Sequence, residues 1–198
     1  MLHPARDAES VRESAYAAIH AIGALGMTLI VVGMVSIAPL LQPRTGRSGH
    51  AAYLATFIGS VLWVGLLFLD AFVNPILAVY AADLMHTEAG MRMQTQLYGP
   101  ALALLVLGPF LFVAGYIGFA FTAVSAGLAR WPDALLLGVG AVGFGGGPLT
   151  PLPVEQIGGV VFALGFLVMM IGLISSDAAA PGTDAHPERL GVLAGPES

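Results

Sequence analysis

The apolar positions of this chain fall into five blocks, at about 15–41, 51–82, 97–129, 134–148 and 156–176, with short polar or Gly/Pro-rich breaks between them. A helix needs roughly 20 apolar residues to cross the hydrocarbon of a bilayer. In lipid every backbone polar group must be bonded within the protein, a condition that a helix meets by itself. The pattern therefore predicts an all-α, polytopic integral membrane helix bundle. Five transmembrane helices are expected. The alternative is four plus a re-entrant segment, because the block 134–148 offers only about fourteen residues before Gly145-Gly146-Gly147-Pro148, short of a full crossing. Residues 1–14 are expected as a polar N-terminal tail, 15–176 as the transmembrane bundle and 177–198 as a disordered C-terminal tail.

The breaks carry the expected signals. Residues 42–49 (Gln42-Pro43-Arg44-Thr45-Gly46-Arg47-Ser48-Gly49) read as a short loop rich in helix breakers and positive charge. Residues 83–96 read as a polar connection. The block Leu97 to Ala129 runs for 33 residues without a formal charge, with Pro100 suited to a first helical turn and Pro109 able to kink the helix. Arg130-Trp131-Pro132-Asp133 supplies an aromatic and charges at headgroup level. The N-terminal run of about twenty apolar residues exceeds the roughly 7–15 of a signal peptide, so the first block is expected to be a retained span.

Composition agrees with the pattern. Of 198 residues 57% are hydrophobic and 10% charged, against the roughly 25% charged of a soluble domain. The mean hydropathy is +0.86. All seven basic residues are arginine, a bias that a GC-rich genome produces, and the expected setting is a bacterial plasma membrane. The net charge is −5 with no basic stripe, so nucleic acid is not an expected partner. The chain has no cysteine, which excludes disulfides, thiolate metal sites and thiol catalysis. For five spans, Arg44, Arg47, Arg130 and Arg189 lie on one side and Arg6, Arg12 and Arg92 on the other, which points to a cytoplasmic C-terminus.

Glycines recur every seven residues on two blocks. Gly158, Gly165 and Gly172 form one seam; Gly108 and Gly115, with Ala101 and Thr122, form another. Small residues on one stripe let helix backbones approach closely, the main route to packing contact in a membrane.

One carboxylate lies inside an apolar block. Asp70 falls in the run Trp63 to Pro75 and needs a partner, because an unpaired charge in lipid is costly. Asn74 lies four residues on and shares its helix face. On the first block Tyr16 and His20 have the same spacing. His20 precedes the centre of the intervening break by about as many residues as Asp70 follows it, and at ~1.5 Å rise per residue the two reach similar depth. By the same count Tyr16 falls level with Asn74. The four residues are expected to form a polar intramembrane cluster between antiparallel helices. Three roles fit it: a structural pair, a protonatable site in a transport path, or a contact to a partner subunit.

Other chemistry is not indicated. Gly143 to Gly147 lacks the Gly-Lys-Ser/Thr ending of a phosphate loop, and no HExxH or GxSxG occurs. His20 is the one histidine placed for an axial haem bond, since His3, His50, His86 and His186 fall in tails or loops. Asp83, His86 and Glu88 read as a solvated loop rather than a metal site. No cofactor, metal or catalytic residue is expected. The leading expectation is a small non-enzymatic membrane subunit or scaffold packing through its glycine seams, in a homo-oligomer or a larger membrane complex. The alternative is a small proton- or ion-coupled transporter or channel component that uses Asp70 and His20.

Overall fold

The computed structural model describes residues 8–82, 99, 101–146 and 152–178. Among these, helices account for nearly all residues and no strand occurs. The elements are α1 (Ala8–Arg12), α2 (Ser14–Phe68), a π-helical turn (Leu69–Val73), α3 (Asn74–Tyr80), α4 (Ala101–Ser125), α5 (Trp131–Gly145) and α6 (Leu152–Ala178). Among the described residues four helical stretches are long and apolar enough to cross a membrane: Ser14–Pro39, Pro43–Tyr80, Leu107–Ser125 and Pro153–Ser175. The molecule is an all-α membrane helix bundle.

α2 is two antiparallel arms. The expected loop at 42–49 is helical on both sides of a single reversal at Gly46, whose φ is 63° and ψ −158°. Only glycine takes that backbone conformation without steric cost, so one residue does the work of the predicted loop. Pro39 and Pro43 lie inside the helix rather than ending it. The arms are locked by Tyr53, whose hydroxyl donates to the Met34 carbonyl at 3.2 Å. Near its far end the second arm changes pitch. Pro75 has no N–H for the carbonyl four residues back, and just before it the Asn74 N–H reaches Leu69 O, five residues back.

α4 lies antiparallel to the second arm. A Cβ added at Gly115 would overlap the Thr56 backbone, and one at Gly108 would press on Leu62. The approach is mutual, since a Cβ at Gly59 would come within 2.7 Å of the Phe112 Cα. α4 ends in a Schellman turn. Gly127, at φ 69°, donates to Val124 O at 2.9 Å, and Leu128 donates to Ala123 O at 2.9 Å. The buried Leu128 side chain adds the apolar contact that accompanies this motif.

α5 starts at Trp131, three residues earlier than expected, and stops at Gly145 after 15 residues. It runs antiparallel to α6, with Gly140 against Phe162, Gly143 against Gly158 and Leu137 against Gly165. α6 begins at Leu152, four residues early, and takes in Glu155. Its C-terminal end returns to the start of α5: Ile171, Gly172 and Ser175 line a cleft of about 390 Å³ with Leu128, Arg130 and Asp133. Arg44, Arg47, Arg130 and the end of α6 therefore share one end of the bundle, and Arg12 lies at the other.

The core is an aromatic stack at the junction of the second arm, α4, α5 and α6. Phe112 lies 4.7 Å from Tyr116, 5.1 Å from Phe162 and 5.2 Å from Trp63, centroid to centroid. The Tyr116 hydroxyl is paired with Ser60 Oγ at 3.0 Å. Trp63 Nε1 is buried without a hydrogen-bond acceptor among the described residues, its ring between Phe112 and Phe144. The outer surface is apolar, with Ile22, Leu29, Phe110, Val139 and Ile157 all exposed, as lipid contact requires.

Candidate functional site

The first arm of α2 and the π turn bring His20, Tyr16, Asp70 and Asn74 together at the end of the hairpin opposite Gly46. Tyr16 and His20 are buried and stack with ring centroids 4.1 Å apart. The His20 Nδ1 lies 2.8 Å from the Tyr16 carbonyl oxygen. A carbonyl only accepts, so Nδ1 carries a proton and donates it. The other ring nitrogen, Nε2, faces Asp70 Oδ2 at 3.9 Å, longer than a hydrogen bond and within ion-pair range.

The second carboxylate oxygen holds the remaining members. Asp70 Oδ1 accepts from the Asn74 amide at 2.6 Å and from the Tyr16 hydroxyl at 3.4 Å. Counting residues along the hairpin pairs Tyr16 with Asn74; the structure instead directs both donors to one carboxylate oxygen, the strongest acceptor within reach. The Asp70 side chain is 36% exposed, whereas His20 is 3% exposed. The cluster is thus closed on the histidine side and open on the carboxylate side.

Depth follows from length. Asp70 lies 19 positions beyond Ala51, where the second apolar block begins. At ~1.5 Å per residue that is about 28 Å. This nearly equals the ~30 Å thickness of the hydrocarbon layer. The carboxylate therefore lies about one hydrocarbon thickness along the arm from Ala51.

Arg12, expected in a polar tail, joins the same edge of the hairpin. Its Nε donates to the Ala78 carbonyl at 2.8 Å. That carbonyl lies in the last turn of α3, where helix acceptors lack intrahelical donors and a cation is favoured. The sequence carries a signal for this bond: Arg12 precedes His20 by eight residues and Ala78 follows Asp70 by eight, so the same register continues. Val11, Tyr16 and Ala78 form a small buried cluster beside it. The π turn is not legible in the same way, since Pro75 announces a disturbed helix without specifying its pitch.

The glycine seams lie inside the chain. Gly108 and Gly115 meet the second arm, and Gly158 and Gly165 meet α5. Gly172 has nothing within 4 Å of an added Cβ. Thr122 turns its hydroxyl back to Gly118 O and Phe119 O of its own helix. The Ala101 side chain, Asp83, His86 and Glu88 lie outside the described residues. Among the described residues no group of three His, Asp or Glu side chains gathers as a metal site. At the other end of the bundle Arg130 grips Asp133 with two bonds, Nε to Oδ2 at 2.9 Å and Nη2 to Oδ1 at 3.1 Å. These bonds hold the guanidinium above its usual pKa, in its charged form.

No protein-family model matches the chain, and no characterised protein or solved structure matches it. The functional reading rests on the geometry alone.

Proposed function

We propose that this chain is a small, non-enzymatic subunit or scaffold of a membrane complex: a rigid five-span block whose own glycine seams close it. The supporting observation is where those seams lie. Gly115 on Thr56, Gly158 on Gly143 and Gly165 on Leu137 are contacts between backbones of one chain. Close small-residue contacts of this kind fix helix pairs in a membrane without polar groups. Such a block presents a fixed apolar outline to lipid and to neighbouring membrane proteins. The aromatic stack fills the junction of the second arm, α4, α5 and α6.

Native mass spectrometry of the protein released in mild detergent tests this reading. A hetero-complex of fixed stoichiometry is the expected result. A monomer or homo-oligomer that drives gradient-dependent flux when reconstituted alone would overturn it in favour of a transporter.

A further inference from the structure

We propose that the cleft where α6 returns to the start of α5 holds one anionic phospholipid, with its phosphate on Arg130 and acyl carbons along α6. The inference goes beyond the subunit role, since it concerns what the block binds from the bilayer rather than which protein it joins.

Arg130 supplies the polar half of the site. A guanidinium carries five N–H donors in a planar fork. Asp133 takes two of them, one on Nε at 2.9 Å and one on Nη2 at 3.1 Å. Three N–H groups remain. The Arg130 side chain is 79% exposed, whereas that of Asp133 is only 11% exposed. The carboxylate is thus a sheltered anchor that fixes the direction of an open fork. Holding the fork in place before a ligand arrives lowers the ordering cost of binding. A phosphodiester matches the donors that are left, because two of its oxygens can accept from adjacent N–H groups.

The cleft supplies the apolar half. Beside Arg130 it is lined by Leu128 and Ala129 from the turn after α4 and by Val168 and Ile171 of α6, with a volume of about 390 Å³. Val168 and Ile171 belong to the C-terminal part of the apolar stretch Pro153–Ser175. Ile171 is exposed. A free anion on Arg130 would leave this wall bare, while an acyl chain joined to the phosphate covers it.

Charge selects the headgroup. Both oxygens of Asp133 are engaged by Arg130. Among the described residues no other carboxylate lines the cleft. A choline or ethanolamine cation therefore finds no open acceptor there and meets the exposed guanidinium as a like charge. A glycerol headgroup carries no cation, so phosphatidylglycerol is the preferred form.

The test is native mass spectrometry of the full chain, in the assembly that mild detergent releases, titrated with phosphatidylglycerol or with phosphatidylcholine of the same acyl chains. Phosphatidylglycerol should be retained about tenfold more tightly. Arg130→Gln removes the charge-assisted bonds to phosphate and should weaken phosphatidylglycerol by about tenfold, abolishing the preference. Equal retention of the two lipids by the unmodified chain, or a preference that survives Arg130→Gln, would overturn the proposal. Displacement of the lipid by excess inorganic phosphate would do so too, since the site would then be one for a free anion. Should Arg130→Gln fail to fold, the apolar wall decides. Val168→Trp fills the cleft and should weaken phosphatidylglycerol by about tenfold. Val160→Trp, at an exposed position of the same helix outside the cleft, should leave it unchanged. Equal effects of the two tryptophans would reject the cleft as the site.

Discussion

Asp70 shows at the scale of one residue what a carboxylate within an apolar helix requires. It has two donors on one oxygen, a histidine facing the other, and partial access to water. Shape and charge separate its roles. Asp70→Asn keeps the size and much of the hydrogen-bonding capacity, so the bundle should remain folded with little loss of stability. Asp70→Leu leaves the Asn74 amide and the Tyr16 hydroxyl without their acceptor and is expected to cost ~1–3 kcal/mol. Reversible denaturation in mixed detergent micelles measures both. Equal losses for the two substitutions would mean that charge alone, and not hydrogen bonding, holds the site.

At the scale of elements, one heptad seam divides into two kinds of glycine. Gly165 faces the Leu137 backbone, and a methyl there would come within 2.7 Å of the Leu137 Cα. The helices would have to separate, so Gly165→Ala is expected to destabilise by ~1–3 kcal/mol, the usual cost of overpacking. A Cβ added at Gly172, one repeat on, would meet nothing within 4 Å among the described residues. Gly172→Ala should be neutral or stabilising by up to ~1 kcal/mol, because alanine is the better helix former. Thermal unfolding of the two variants side by side decides it, and a Gly172→Ala penalty as large as that of Gly165→Ala would mean that this face is covered by another chain.

For the whole molecule the consequence is topological. The hairpin in α2, the antiparallel α4 and the α5–α6 pair bring Gly46, Arg130 and Ser175 to one end and α1 to the other. The chain has no cysteine, so single cysteines report position cleanly. Ser48→Cys and Ser175→Cys should react with an impermeant thiol reagent from the same side of sealed vesicles, and Glu9→Cys from the opposite side. Glu9→Cys and Ser175→Cys labelled from one side would reject the odd number of spans. Arg44, Arg47 and Arg130 share the end that carries Gly46.

The class of fold was legible from hydropathy, because lipid imposes one rule on every spanning segment: apolar side chains outside, backbone bonds inside. The depth match of His20 and Asp70 was legible for a related reason, since helical rise is constant and a short turn fixes where two arms begin. Other features depended on neighbours. A run of breakers, Gln42 to Gly49, reads locally as a loop, yet the two arms pack so closely that one left-handed glycine completes the reversal. The glycine repeats showed that backbones would meet but not whose, and only tertiary contacts assign Gly115 to Thr56 and Gly165 to Leu137. Tyr16 was matched to Asn74 by level, whereas its hydroxyl goes to Asp70, because a hydrogen bond selects the strongest acceptor within reach and not the residue at equal height. Length and polarity along the chain set how far each helix travels; which face it turns to its neighbour is decided by packing, where side chains from distant parts of the sequence meet.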